Sequence, residues 1–184
     1  MEPVKDSKSL KDCGIMLLTE DISTATVKPS IEWIIEENIN PIKRSKLKLY
    51  INSSGGLITA SFGLTDFMEF SKIPIQTIGL GEICSCGLLI FMTGEKGTRT
   101  ITKNTLILSH QYSWGSHGKE HELLGATKAF EITAKQIRNH YRKHLTVKKN
   151  KEKIIDFLLQ PTDTWLTPEE AIKYGIADKI VEKM

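Results

Sequence analysis

Cysteine is scarce: the 184 residues hold three, Cys13, Cys84 and Cys86. An odd count, with two of the three a single residue apart, excludes a disulfide framework and suits a reducing cytoplasm. No Cys-x-x-Cys pair occurs, so a thiolate metal site has nothing to start from. A long apolar run is missing as well. The most apolar stretch, 73–94, is broken by Gly79, Gly81, Glu82 and Gly87, whereas a membrane span needs about 20 continuous apolar residues. Residues 1–12 are charged and lack an apolar centre, so they do not read as a signal peptide. Nor is one sign of charge in excess. The 25 basic and 22 acidic residues leave +3, where a nucleic-acid binder carries a larger, clustered surplus. The basic stretches 43–48 and 148–153 sit beside turns and read as solvated surface. Internal repeats and low-complexity linkers are absent.

What is present is an ordinary globular composition, 40% hydrophobic and 26% charged, enough for one domain with its own core. Residues 14–18 read as a first strand. Pro29 fits the first turn of a helix, with Ile31, Ile34 and Ile35 following at helical spacing. Leu47, Leu49 and Ile51 alternate with Lys48 and Tyr50 as in a strand. A glycine turn at Gly55-Gly56 leads into a helix over 57–70. Strands follow at 75–80, 99–102 and 106–109, with a short apolar helix over 85–92. From 119 to 145 there is no proline and one glycine, and a helix of that length spans ~40 Å, too long for the core of so small a domain. Thr167-Pro168-Glu169-Glu170 forms a capping box with proline at the first helical position. Alternating strands and helices predict an α/β fold.

Several places carry potential chemistry, each with a plainer alternative. The run Asn52-Ser53-Ser54-Gly55-Gly56 is either a strand-to-helix turn or a nest of backbone N–H groups for an anion. Ser85 stands between a strand and a helix, as an N-cap or as a nucleophile near a positive dipole end. Its surroundings are not Gly-x-Ser-x-Gly, because Ile83 and Gly87 lie two residues away. Cys84 and Cys86 are rival nucleophiles or small packing residues. His110 closes a strand beside a loop, the place for a general base or for a structural imidazole. His140 and His144 lie four apart on one helix face, as two metal ligands could. With cations between them and no glutamate in the metallopeptidase position, they read as a solvated face.

Taken in order, Ile51 to Gly56, Gly81 to Gly87 around Ser85, His110-Gln111, and Asp163 before Trp165-Leu166-Thr167 resemble the Clp protease proteolytic subunit family. The closing run 174–180 resembles that family's C-terminal strand. The likeness covers about 14–181. It implies a crotonase-like α/β fold: a head of stacked strand-helix turns with a protruding handle helix at 119–145, in a single domain 14–184 behind a flexible segment 1–13. It also implies a serine endopeptidase in which Ser85 is the nucleophile, His110 the base and Asp163 the acid that orients the histidine. The backbone N–H groups of Gly56 and Cys86 form the oxyanion hole. Asp156 and Asp178 are rival acids, on a helix surface and at a terminal strand or turn. The resemblance further implies heptameric rings, stacked in pairs as a tetradecamer, and unfolded polypeptide substrates. A hexameric ATPase unfoldase is the feeding partner. Neither metal nor cofactor is implied, ATP being used only by the ATPase. Other peptidase subunits in a mixed ring are a further possible partner; nucleic acid and membrane are not.

The departures from the family pattern are specific. Ser54 replaces a usual proline, Tyr112 another. Glu82, Ile83 and Cys84 stand where small residues are common, and the carboxylate is expected to affect the site. Thr162 replaces an arginine that pairs across stacked rings, so weaker stacking is expected. The polar 1–12 segment is expected to gate the entrance poorly. Two other readings fit the same fold: a non-catalytic ring subunit, and a coenzyme-A thioester enzyme using the oxyanion hole alone. The three filled positions, Ser85, His110 and Asp163, argue against both.

Overall fold

The computed structural model describes residues 8–42 and 44–182. Most of the segment expected to be flexible, residues 1–7, lies outside them, as does Lys43. In the remainder of that segment, Ser9 and Asp12 bond each other across a short turn, and a 3-10 turn occupies Lys11–Cys13. Beyond it come strand β1 (Ile15–Leu18), helix α1 (Thr24–Ile39), β2 (Leu47–Ser53), α2 (Ile58–Phe70), β3 (Ile75–Cys84), α3 (Cys86–Met92), β4 (Thr100–Thr102), β5 (Leu106–Ser109), α4 (Glu120–His144), α5 (Lys151–Leu158), β6 (Thr164–Leu166), α6 (Pro168–Lys173) and β7 (Lys179–Val181).

The strands join in one sheet with the order β1-β2-β3-β4-β7; β5 also pairs with β3, and β6 with β5. Every pairing is parallel except β5–β6. Strand β3 is the hinge of this plan. Its first half pairs with β4 at Ile78 and Gly79, and its last three residues pair with β5. The sequence expectation ended this strand at residue 80, since Gly79 and Gly81 resemble breakers. Instead Gly81 takes a positive φ of 58°, and the Glu82 N–H bonds the Asn52 side chain across the irregularity. The strand therefore bends and continues to the residue before Ser85.

Burial follows the alternation of the strands. Leu47, Leu49 and Ile51 on β2 are fully buried, with partly exposed residues between them. Helix α3 is buried at all seven positions, as an all-round apolar helix must be. Helix α1 begins five residues before Pro29, not at it. Ser23 caps it through the Thr26 N–H, and the Thr26 hydroxyl accepts the Ser23 N–H in return. Pro29 removes one intrahelical bond, which the rest of this 16-residue helix outweighs. In helix α4 only Ile137, His140, Tyr141 and His144 are buried. Its first four turns stand clear of the head, with Leu124 67% and Ile132 50% exposed. The loop before it lies along it, where Trp114 and Tyr112 stack on Phe130 at 4.8 and 5.8 Å.

Two surface expectations are corrected here. His140 and His144 do not form a solvated face. Their spacing with Ile137 and Tyr141 turns them inward, where their rings pack 4.3 Å apart. His140 donates from Nε2 to the Leu89 carbonyl at 2.9 Å. Within the basic stretch 43–48, Arg44 is not solvated either. Its Nε lies 2.9 Å from the buried Glu37 carboxylate, and its guanidinium also reaches the Asp12 carbonyl.

Candidate active site

Strands β2, β3 and β5 run parallel and deliver three loops to one end of the sheet. The loop after β2 carries Gly55-Gly56, the end of β3 carries Ser85, and the end of β5 carries His110. Ligand sites in open α/β sheets form at such strand ends.

Ser85 has φ 52° and ψ −120°, a conformation that costs a non-glycine residue about 1–3 kcal/mol. Its N–H donates to the Leu108 carbonyl at 3.0 Å, and its carbonyl accepts from Leu88 and Leu89. These bonds hold the strained turn and aim the side chain out of the sheet. Ser85 Oγ then lies 2.8 Å from His110 Nε2. Glycine is required opposite. A Cβ on Gly55 would sit 2.7 Å from that of Ser85, and one on Gly56 would sit 2.2 Å from the Ile22 carbonyl oxygen.

The Gly56 amide is free for a mechanical reason. Ile22 and Gly56 form an isolated parallel bridge, whose hydrogen bonds use the Gly55 carbonyl and the Leu57 N–H. The Gly56 N–H points away from that partner, and no hydrogen bond among the described residues takes it up. The Cys86 N–H belongs to the first turn of α3, where no helical carbonyl lies behind it. Gly56, Ser85, Cys86 and His110 line one cavity of about 110 Å³, whose apolar wall includes Ile58, Leu89 and Ile137.

The thiols that rival Ser85 are buried and inert. Burial, with the neighbouring Glu82 charge second, pushes the Cys84 thiol up to about 11. Burial also raises Cys86, whose Sγ–H donates to the Gly56 carbonyl at 3.1 Å. A nucleophilic cysteine needs the opposite shift. The Glu82 carboxylate does not line the cavity; it lies 3.8 Å from the Cys84 sulfur.

Of the three candidate acids, two are engaged elsewhere. Asp178 binds the fully buried Arg99 at 2.7 Å, and Asp156 binds Arg138 on the surface at 2.6 Å. Asp163 precedes β6. Ser109–Thr164 is the last pair of the antiparallel ladder, and His110 and Asp163 each lie one residue beyond it. Asp163 is exposed, and no hydrogen bond joins it to the His110 ring. Two residues that sequence reasoning passed over also belong here. Tyr141 forms part of the cavity wall, and the buried Ser109 immediately precedes His110 at the end of β5. Tyr141 had a visible signal, its place in the i, i+3, i+4, i+7 stripe from Ile137 to His144; Ser109 had none.

A hydroxyl bonded to an imidazole, beside two backbone amides that have no hydrogen-bond partner among the described residues, is an arrangement suited to attack on a carbonyl. The sequence profile of the Clp protease family matches residues 4–184, and the chain belongs to that family of peptidases. It is 29% identical over 177 residues to the ATP-dependent Clp protease proteolytic subunit of Deinococcus radiodurans, an alignment covering 96% of this chain and 84% of the relative. The mixed α/β sheet with its projecting helix is the fold that the family resemblance implies. Among the described residues no helix is long and apolar enough to cross a membrane. No group of three or more histidine, cysteine, aspartate or glutamate residues among them could hold a metal ion.

Proposed function

We propose that the protein is a serine endopeptidase that hydrolyses unfolded polypeptides as a subunit of a ring-shaped, chambered protease. The observation that carries this reading is the 2.8 Å contact between Ser85 Oγ and His110 Nε2, made across a strained backbone turn. His110 takes the Ser85 proton as Oγ attacks the peptide carbonyl. The tetrahedral oxyanion is received by the Gly56 and Cys86 N–H groups, donors of a kind worth about 10²–10³ each in rate. His110 then gives its proton to the departing amine, leaving an acyl-enzyme that water opens by the same steps in reverse order of roles. Asp163 turns towards His110 and fixes its tautomer. The reaction so written uses no metal or cofactor.

The remaining elements of the reading follow from the family. The subunits form heptameric rings, two of which stack to enclose the sites, and a hexameric ATPase feeds unfolded chains from the cytoplasm. Exposed apolar residues on the projecting part of α4, Leu123, Leu124 and Ile132, support an assembled state. Thr162, exposed before Asp163, offers no charge for pairing across rings.

A serine-directed fluorophosphonate applied to the purified protein tests the reading. Labelling confined to Ser85, together with hydrolysis of small fluorogenic peptides, is the expected result. A well-folded protein that takes no label and cleaves no peptide would instead be the non-catalytic ring subunit. Hydrolysis of coenzyme-A thioesters that survives Ser85→Ala would point to the oxyanion hole working alone.

A further inference from the structure

One buried hydroxyl joins the two halves of the site, and nothing in the chemistry above uses it. Ser109, fully buried, immediately precedes His110. Its Oγ lies 2.7 Å from the Leu158 carbonyl, to which it donates. Having given its own proton there, it accepts the Tyr141 hydroxyl, also at 2.7 Å. Burial holds the Tyr141 phenol protonated, up at about 12, so it stays a donor. Three segments thus meet at one oxygen: the end of β5 with His110, helix α4 through Tyr141, and the last turn of α5, from which the chain runs on to Asp163. A second knot fixes the same turn, with Thr164 Oγ1 donating to the Phe157 carbonyl and receiving Gln160 Nε2.

We infer that Ser109 and Tyr141 are positioning residues for the proposed serine peptidase reaction: their linked hydroxyls hold the His110 strand against the turn that carries Asp163. The reasoning is geometric. β5 and β6 share only three ladder pairs, and the two side chains that must meet, His110 and Asp163, lie just past the last of them. A ladder so short frays at its end unless something beyond the backbone ties it. The Tyr141–Ser109–Leu158 chain supplies that tie at the frayed end, on the side facing the body of the protein. An error of about 1 Å in the placement of reacting groups can cost about 10²-fold in rate, so the tie matters to catalysis more than to binding.

The inference rests on the proposed peptidase reading, and the test separates the two. Tyr141→Phe deletes one hydroxyl and keeps the ring that lines the cavity. Ser109→Ala deletes the central oxygen. Both variants and their combination are assayed for kcat and KM on a fluorogenic peptide, and for the rate of fluorophosphonate labelling of Ser85. The expected result is a kcat about 10-fold or more below the parent with KM within about twofold, and a double variant no slower than Ser109→Ala, since both act through one chain of bonds. Should Ser109→Ala fail to fold, Tyr141→Phe carries the test. Parental kcat in folded variants overturns the positioning role, as does a rise in KM with kcat intact. A parent protein that takes no label at all brings down the peptidase reading and this inference together; a labelled parent with equally fast variants brings down this inference alone.

Discussion

His110 and Asp163 each lie one residue beyond Ser109–Thr164, the last pair of the β5–β6 ladder, and no hydrogen bond joins their side chains. The proposed acid is therefore not engaged with the proposed base in this structure. Apo sites often show loose catalytic bonds that tighten on binding. Asp163→Asn is expected to reduce kcat by about 10²–10⁴-fold and leave thermal stability almost unchanged, because Asp163 is exposed. Steady-state kinetics beside a thermal melt checks both halves. Full activity in Asp163→Asn would remove it from the mechanism.

Ser85→Ala should abolish peptide hydrolysis without altering the fold. Cys84→Ala should retain activity, and Cys13, the exposed cysteine, should be the only thiol that iodoacetamide reaches in the native protein near pH 8. Mass spectrometry of the alkylated protein reads this directly. Alkylation at Cys84 or Cys86 with loss of activity would return the nucleophile to a cysteine.

Arg99 has no exposed surface and its partner Asp178 little. Burial alone would raise the Asp178 carboxyl, but the Arg99 guanidinium and the amides of Arg99 and Gly97 outweigh it and leave it below its ordinary value. A carboxylate depressed in the fold adds stability that is complete above its unfolded pKa and is lost as pH falls through the folded value. Urea melts should therefore show stability falling below about pH 4. Asp178→Asn should flatten that fall and cost about 3–5 kcal/mol at neutral pH, the penalty for leaving a buried guanidinium without its anion. Unchanged stability in this variant would mean that the carbonyls of His144 and Gly175 suffice for Arg99.

The adjacent imidazoles of His140 and His144 act in the same direction at milder pH. Burial first, and the His144 charge second, hold His140 down at about 3. Burial likewise lowers His144, against the opposing pull of Glu69. Burial thus disfavours the charged form of both rings in the fold, whereas an unfolded chain protonates them near pH 6.5. Stability should decline as pH falls from about 6.5, at most ~1.4 kcal/mol per unit for each ring. His140→Gln should reduce that slope. A melt series between pH 7 and 5 with no slope at all would contradict the buried neutral pair.

Leu124 and Ile132 on the projecting part of α4 are exposed apolar side chains. Replacing both with aspartate should weaken assembly while leaving the isolated fold intact. Native mass spectrometry should then show a shift from rings or stacked rings to smaller species; an unchanged mass distribution would place the contact elsewhere.

Much of the architecture was legible wherever a local pattern agreed with its surroundings. The alternation of Leu47, Leu49 and Ile51 marks β2, and Leu106–Ser109 emerges as a strand with those same bounds. The lack of breakers between 119 and 145 marks α4 to within a residue at each end. The misses occur where local signals gave way to distant partners. Gly79 and Gly81 look like the end of a strand until Asn52 is brought beside them. Pro29 looks like a helix start because the Ser23–Thr26 cap lacks the usual glutamate. His140 and His144 look solvated because Arg142 and Lys143 lie between them, yet the stripe from Ile137 faces the head. Within the site, Ser85 and His110 could be singled out one at a time, but the bond between them depends on β3 and β5 being neighbours. The Tyr141–Ser109–Leu158 chain has no sequence signature, since its three members come from three separate elements.

The antiparallel pairing of β6 on β5 has a consequence for the order in which this protein is made. Gly56, Ser85 and His110 are all translated before α4, whereas Asp163 and its strand follow only after α4 and α5. Contacts between segments so distant in sequence form slowly. A nascent chain that has folded its first three loops thus holds the proposed nucleophile and base without the strand that follows the proposed acid. On the proposed mechanism, a subunit truncated before β6 lacks Asp163 and should hydrolyse peptides more slowly than the whole chain.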